Sequence, residues 1–163
     1  MASKKLNHKK CLVIATILYC GILFISNWSI LLGENLMKWD IWDAQFPAQV
    51  ITSDAIHAGT FPIWNPLFNF GTPYYAMVGT PVWYPITLML DVIGYNTSSP
   101  AWEYYIHLVI AAIGMYQLSS FEIKDNSILR WASREITAFI SGLLYVFSGP
   151  FFSNAQHIMI IIS

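Results

Sequence analysis

Charged residues are scarce in this chain. Lysine and arginine together number 8, aspartate and glutamate number 9, and the formal net charge is −1 over 163 residues. The sequence has no basic stripe interleaved with aromatic residues, the pattern that marks a nucleic-acid-binding surface. The composition therefore gives no reason to expect nucleic acid as a partner.

Cysteine is almost absent as well. Cys11 and Cys20 lie in one apolar segment, and a helix through that segment separates them by more than two turns, too far for a disulfide. The sequence also lacks a CxxC pair, a glycine-rich phosphate loop, a Walker motif and a Ser/His/Asp arrangement. These absences argue against a redox centre, a zinc site, a phosphate-binding loop and a hydrolase triad.

Apolar and aromatic residues are abundant instead, at 56% and 16% of the chain, which is typical of an integral membrane protein. Residues 11–32 carry no charge and, as a helix, span about 33 Å, enough for a hydrocarbon core of about 30 Å. A cleaved signal peptide is the alternative. This apolar run is longer than a signal peptide needs, and no small-x-small cleavage site follows it, so we predict an uncleaved transmembrane helix.

The distribution of lysine and arginine orients the chain. Placing the basic N-terminal tail in the cytoplasm leaves seven of the eight basic residues on that side, with Lys38 alone outside. We therefore predict an all-α integral membrane protein with about three transmembrane helices and interfacial helices in a large external loop. The segments are a cytoplasmic tail 1–10, transmembrane helix 11–32, external loop 33–100, transmembrane helix 101–119, cytoplasmic connection 120–134, transmembrane helix 135–152, and an external loop with the start of a fourth membrane segment 153–163.

The external loop contains two short helical patterns. Pro47 suits the first position of an interfacial helix over residues 47–58, and Gly59 suits its end. Residues 82–93 are apolar but short, and they either span the membrane or form a re-entrant or interfacial helix. The basic residues in 120–134 favour the second alternative, because spanning would place them outside. Residues 158–163 resume an apolar run, so we expect further helices of a longer chain.

Two carboxylates follow the first apolar segment closely. Asp40 and Asp43 are three residues apart, so they can share one face of a helical turn or bind one cation from an irregular loop. An acid at the membrane surface can also accept a proton from a polar substrate that the bilayer presents. The alternative is that Asp43 merely caps the helix that starts near Pro47.

A segment rich in aromatic, proline and asparagine residues follows. Trp64, Asn65 and Tyr84 are candidates for sugar binding, because aromatic rings stack on the apolar faces of sugars and amides bind hydroxyl groups. An aromatic belt at the membrane interface is the alternative. Asn154, Gln156 and His157 form a second polar cluster that the predicted topology places on the same side as the acid pair. There His157 is a candidate ligand or proton carrier, or an interfacial histidine bonded to backbone carbonyls.

Several of these motifs, in this order, resemble the bacterial YfhO-like membrane proteins, which are placed among the GT-C glycosyltransferases. The resemblance rests on Asp43, Phe46 and Pro47, on the segment AGTFPIWNPLFNFGTPYYA at 58–76, on the WYP triplet at 83–85, and on SGPFFSNAQH at 148–157. It covers nearly all of this chain but only the N-terminal part of the family. A basic residue often found in the family just after the proline is replaced here by Ala48 and Gln49.

The resemblance implies a multi-pass enzyme of the bacterial cytoplasmic membrane that uses a polyprenyl-phosphate-linked sugar as donor. Asp43, with Asp40 as second choice, falls at the place of the family's catalytic base or metal ligand, and a divalent cation is a possible cofactor. The expected partners are membrane lipid, the lipid-linked sugar donor and the remaining helices of a longer chain. The rival hypothesis is a non-catalytic membrane module that binds or transports a lipid carrier, or a scaffold.

Overall fold

The computed structural model describes residues 8–66, 70–74, 83–123, 128–153 and 155, and this part of the chain is mostly helical. In chain order the elements are α1 His8–Leu31, a π-helix Ile41–Gln45, α2 Phe46–His57, β1 Trp64–Asn65, β2 Thr72–Pro73, α3 Pro85–Ile93, α4 Ser99–Glu122, α5 Ile128–Val146 and α6 Gly149–Ser153.

One element departs from the all-α prediction. The strands β1 and β2 form a short antiparallel pair, with Trp64 opposite Pro73 and Asn65 opposite Thr72. The chain returns toward β1 through two consecutive residues with positive φ, Phe70 at 63° and Gly71 at 110°. Glycine adopts such a conformation without the penalty of a Cβ atom, and this local reversal allows the proline-rich loop to pair with itself.

Only α1, among the described residues, is long and apolar enough to cross a membrane. Just 22% of its most apolar window is buried, unlike the core helix of a soluble protein. The predicted second and third spans correspond to α4 and α5, which do not meet the same test. Glu103 and His107 lower the hydropathy of α4, and α5 contains Arg130, Arg134 and Glu135. The predicted start of a fourth membrane segment lies outside the described residues.

The predicted bounds of the third helix need correction. We predicted a connection over 120–134 and a helix over 135–152, whereas α4 continues to Glu122 and α5 already begins at Ile128. The helix then ends at Val146 and a separate short helix begins at Gly149. Pro150 lacks a backbone N–H and cannot continue the hydrogen-bond ladder of α5, which explains the break.

The described residues divide into two compact units: those within 8–28 and 105–153 form the first, and those within 29–104, with residue 155, form the second. In the first unit, Tyr19 is fully buried, its ring stacks on Phe139 at 4.8 Å, and its Oη donates to the Phe139 carbonyl oxygen at 2.9 Å. Glu135 is bound in the same unit by the Tyr116 hydroxyl and by Arg134. Aromatic packing and this carboxylate network hold the first unit together.

The second unit buries polar residues and exposes apolar ones. On α3, Thr87 and Asp91 are completely buried, while Met89, Val92 and Ile93 are 65%, 56% and 77% exposed. A soluble domain normally shows the reverse distribution, because burying apolar surface is what drives it to fold.

Candidate functional site

The interior of the second unit is a cluster of buried polar side chains, which we call the polar core. Its members are contributed by the π-helix, α2, α3, the connection after α3, and the start of α4: Gln45, Gln49, Thr52, Ser53, Thr87, Asp91, Tyr95 and Glu103. Buried polar groups are costly unless they find hydrogen-bond partners. The partners of each group therefore determine what the polar core can do.

Helical spacing places these side chains on inward faces. Gln45, Gln49 and Ser53 recur every four residues from the π-helix into α2, and Thr87 and Asp91 are one turn apart on α3. Residues four apart lie one above the other on a helix surface. The sequence thus presents a stripe of polar groups from each helix, and the two stripes meet where α2 packs on α3.

Glu103 is the acceptor at one end of the polar core. Its carboxylate receives hydrogen bonds from the Thr87 hydroxyl, from the Tyr95 hydroxyl at 3.3 Å, and from the Gln45 amide nitrogen at 3.3 Å. Three donors from three separate segments therefore converge on one fully buried carboxylate. Because the donors lie in the π-helix, in α3 and in the connection after α3, Glu103 joins these segments to α4.

Ser53 joins α2 to the end of α3 by a second set of bonds. Its Oγ donates to the Asp91 carbonyl oxygen and accepts from the backbone N–H of Tyr95. One turn further along α2, the His57 ring nitrogen Nε2 lies 3.1 Å from the Val92 carbonyl oxygen. These contacts occupy carbonyl groups at the C-terminal end of α3 that have no partner within the helix.

Asp91 differs from Glu103 because its side chain has no partner. It is completely buried, and neither carboxylate oxygen makes a hydrogen bond. Burial, with a further contribution from the negative charge of Glu103, raises the pKa of Asp91 to about 7. Gln49 is also completely buried, and neither its amide oxygen nor its amide nitrogen has a partner.

Two tyrosines next to these groups keep their protons. Burial raises the pKa of Tyr74 to about 12, with the Asp91 charge acting in the same direction. Burial, then the charges of Glu103 and Asp91, raise the pKa of Tyr95 further above its ordinary value. Around neutral pH the polar core therefore combines protonated phenols with two carboxyl groups. Chemically, it can hold a proton or a small cation.

The predicted catalytic acids are not among these buried side chains. Asp40 and Asp43 are both exposed, at the start of and within the π-helix. The backbone N–H of Asp43 donates to the Trp39 carbonyl oxygen at 3.1 Å, and Trp39 has a positive φ of 63°. The N-cap residue of α2 is Gln45, so the alternative that Asp43 caps that helix is wrong.

The predicted sugar-binding residues differ in their exposure to solvent. Trp64 is exposed and Asn65 is buried, because successive side chains of a strand point to opposite faces. The Trp64 ring lies against Gly71, where an added Cβ would come within 2.5 Å of it. Tyr84 is half-buried at the N-cap of α3, and burial raises its pKa. Asn154, Gln156 and His157 lie outside the described residues.

Sequence analysis did not identify Asp91, Glu103 or Gln49 as site residues. A signal was present for the two acids, since Asp91 interrupts the apolar run 82–93 and Glu103 lies inside the predicted span 101–119. An ionisable residue within an apolar membrane segment is by default a functional candidate. Gln49 gave no such signal, because a polar residue in a short amphipathic helix is ordinary.

The resemblance implies a divalent cation, which the residues present would have to bind. Within the described ranges, no group of three or more histidine, cysteine, aspartate or glutamate side chains is arranged to hold a metal ion. Asp40 and Asp43 provide two carboxylates, fewer oxygen ligands than a protein-bound divalent cation usually takes. The described residues therefore do not form a site for a divalent cation.

Comparison with family models, with curated proteins and with solved structures finds no match to this chain.

Proposed function

We propose that this chain forms the N-terminal part of a membrane glycosyltransferase that transfers a sugar from a polyprenyl-phosphate-linked donor to an acceptor on the outer face of the membrane. The observation that carries the proposal is the exposure of Asp40 and Asp43, which follow the end of the apolar helix α1 by nine and twelve residues. A solvent-accessible acid near the membrane surface suits proton transfer from a substrate hydroxyl.

The surface of the second unit supports a location at the boundary of lipid and water. Exposed apolar and aromatic side chains include Trp39, Ile63, Trp64, Trp83, Met89, Val92 and Ile93. Tryptophan is enriched at the headgroup level of membranes, where its ring contacts apolar chains and its N–H contacts water. A donor with a polyprenyl chain and a polar sugar needs the same two environments.

The proposed reaction is an inverting displacement with Asp43 as general base. The Asp43 carboxylate accepts the proton of the acceptor hydroxyl while the hydroxyl oxygen attacks the anomeric carbon. The bond between that carbon and the phosphate oxygen breaks, and the lipid phosphate leaves with the electron pair. Asp40 is the second choice for the same role, and the exposed ring of Trp64 supplies a surface on which the sugar stacks.

The test is sugar transfer in membranes that carry the full-length protein, with a polyprenyl-phosphate donor. Asp43→Asn and Asp40→Asn remove the base with little change in size, and Asp54→Asn is the control because Asp54 is an exposed acid on α2. We expect a loss of transfer of about 10²-fold or more for Asp43→Asn, the usual contribution of a general base, and native transfer for the control. Native rates in both Asp43→Asn and Asp40→Asn at equal membrane levels would refute the proposal.

A second candidate is a non-catalytic module that binds a lipid carrier or acts as a scaffold. The network around Glu103 favours it, because that carboxylate is completely buried and serves packing between helices. This candidate requires that Asp40 and Asp43 be replaceable without effect. The transfer experiment therefore distinguishes the two functions.

A further inference from the structure

Two buried side chains in the polar core lack the partners that their burial demands. Asp91 and Gln49 are completely inaccessible, and both side-chain polar atoms of each are without a hydrogen bond. Burying an unpaired amide costs a few kcal/mol, and burying an unpaired carboxylate costs more. Native structures therefore rarely leave such groups without a hydrogen-bond partner. The pair therefore points to an occupant that the polar core is built to hold.

Gln49 is completely buried, and its neighbours four residues away in the π-helix and in α2 are buried as well. Gln45, four residues earlier, donates to Glu103, and Ser53, four residues later, donates to the Asp91 carbonyl oxygen. Residues at this spacing share one helix face, so the Gln49 amide is directed between the Glu103 and Asp91 ends of the cluster. Its unpaired oxygen adds a neutral ligand beside an unpaired carboxylate.

A proton alone does not satisfy this arrangement. Protonation would remove the charge of Asp91 but would create an O–H donor, and neither Asp91 oxygen makes a hydrogen bond in this structure. The Gln49 amide would remain unpaired as well. A bound cation accepts electron pairs from the two Asp91 oxygens and the Gln49 amide oxygen at once, and oxygen is the ligand that hard cations prefer. The Gln49 amide nitrogen is a donor and does not coordinate the cation.

The charge balance selects a monovalent cation. Three hydrogen bonds stabilise the Glu103 carboxylate, whereas Asp91 receives none, so Asp91 is the carboxyl group whose ionised form still lacks a stabilising partner. We propose that Asp91 and Gln49 bind a small monovalent cation of the Na⁺ class inside the second unit, with Asp91 as the anionic ligand. This site does not depend on the glycosyltransferase function.

Thermal unfolding and direct binding of Na⁺ by the purified full chain in detergent test the proposal. The measurements compare sodium chloride with choline chloride at equal ionic strength and at about pH 8, above the Asp91 pKa of about 7. We expect saturable binding of one ²²Na⁺ per chain and a rise in Tm of about 5 °C at saturation, since a ligand that binds only the folded state stabilises it.

The variants identify the ligands. Asp91→Asn should abolish Na⁺ binding, and Gln49→Met should weaken it by about tenfold, the effect of losing one modest contact. Asp54→Asn, an exposed acid on the same unit, should bind Na⁺ as the native chain does. No saturable binding to the native chain would overturn the proposal whether or not the variants fold. Retention of native affinity by folded Asp91→Asn would overturn it too.

Discussion

The Ser53 hydroxyl donates a hydrogen bond of 2.8 Å to the backbone carbonyl oxygen of Asp91. The same Oγ accepts a bond of 3.1 Å from the backbone N–H of Tyr95, so one small side chain satisfies two backbone groups that flank the end of α3. Ser53 is 3% exposed, and water cannot replace it easily. The position of the Asp91 carboxyl group therefore depends on a residue that is distant in sequence.

Replacing Ser53 by alanine should destabilise the second unit. Ser53→Ala leaves a buried carbonyl oxygen and a buried N–H unpaired, which predicts a loss of about 1–3 kcal/mol in the free energy of unfolding. Thermal unfolding of the purified chain measures the loss as a lower Tm. Thr97→Ala removes an exposed hydroxyl in the turn before α4 and should leave Tm unchanged. Equal Tm values for both variants would show that the Ser53 bonds contribute little.

A second prediction of lost stability concerns Glu103, at the other end of the polar core. Glu103→Leu leaves the Thr87 and Tyr95 hydroxyls and the Gln45 amide without their acceptor. We expect a loss of about 3 kcal/mol or more in the free energy of unfolding, since each buried group loses its partner. Glu103→Gln retains one acceptor oxygen and should lose less.

The control for Glu103 is Glu34→Gln, which alters an exposed acid of the same unit and should leave the free energy of unfolding unchanged. Denaturant titration followed by tryptophan fluorescence orders the variants. The hydrogen bonds to Glu103 stabilise the fold as expected only if Glu103→Leu lowers the free energy of unfolding more than Glu103→Gln does.

Stability should also depend on pH through Asp91. Its pKa is raised in the folded chain from the ordinary value of 3.8 to about 7, so the folded chain holds this proton more tightly than the unfolded chain does. The associated stability is fully present below about pH 4 and is lost as the pH rises through about 7. In choline buffer without sodium, Tm should therefore fall as the pH rises over this window.

The neighbours of Asp91 allow this contribution to be isolated. Glu103, Tyr74 and Tyr95 are the titratable groups that interact with it, and both tyrosine pKa values lie well above the window. Asp91→Asn cannot titrate at this position, so the difference in Tm between the native chain and this variant should change with pH. A constant difference from about pH 4 to about pH 8 would contradict the assignment.

Local patterns in the sequence located some of these features and missed others. The uncharged run 11–32 predicted a helix where α1 lies, because length and hydropathy are properties of one segment. Arg130 and Arg134 led us to expect a polar connection, although arginine is a good helix former and α5 includes both. The charge of these two arginines suggested that the segment is exposed to solvent, but charge does not determine whether the backbone is helical.

The polar core illustrates what the sequence alone does not specify. The environment of Asp91 depends on α2, which packs on α3, and on the charge of Glu103 from α4. These contacts join residues dozens of positions apart, such as Ser53 with Asp91, and no local period encodes them. The exposed acids Asp40 and Asp43 were noticed first because they follow an apolar run, a purely local feature.

A pair of glycines in the first unit provides the last prediction. At Gly142 of α5, an added Cβ would collide with the Tyr19 hydroxyl oxygen and would lie 2.8 Å from the backbone carbonyl oxygen of Ala112. At Gly114 of α4, an added Cβ meets nothing within 4 Å. The same substitution in two helices of one unit should therefore have opposite effects.

Gly142→Ala should lower the free energy of unfolding by about 1–3 kcal/mol, because backbone atoms of α4 cannot move aside as a flexible side chain would. It should also disturb the bond from the Tyr19 hydroxyl to the Phe139 carbonyl oxygen. Gly114→Ala should raise the free energy by about 0.5–1 kcal/mol, since alanine favours a helix interior. Thermal unfolding of the two variants and of the native chain measures both changes in stability. If Gly142→Ala is as stable as Gly114→Ala, then α5 does not approach Tyr19 and Ala112 as closely as described, and the packing of the first unit must be revised.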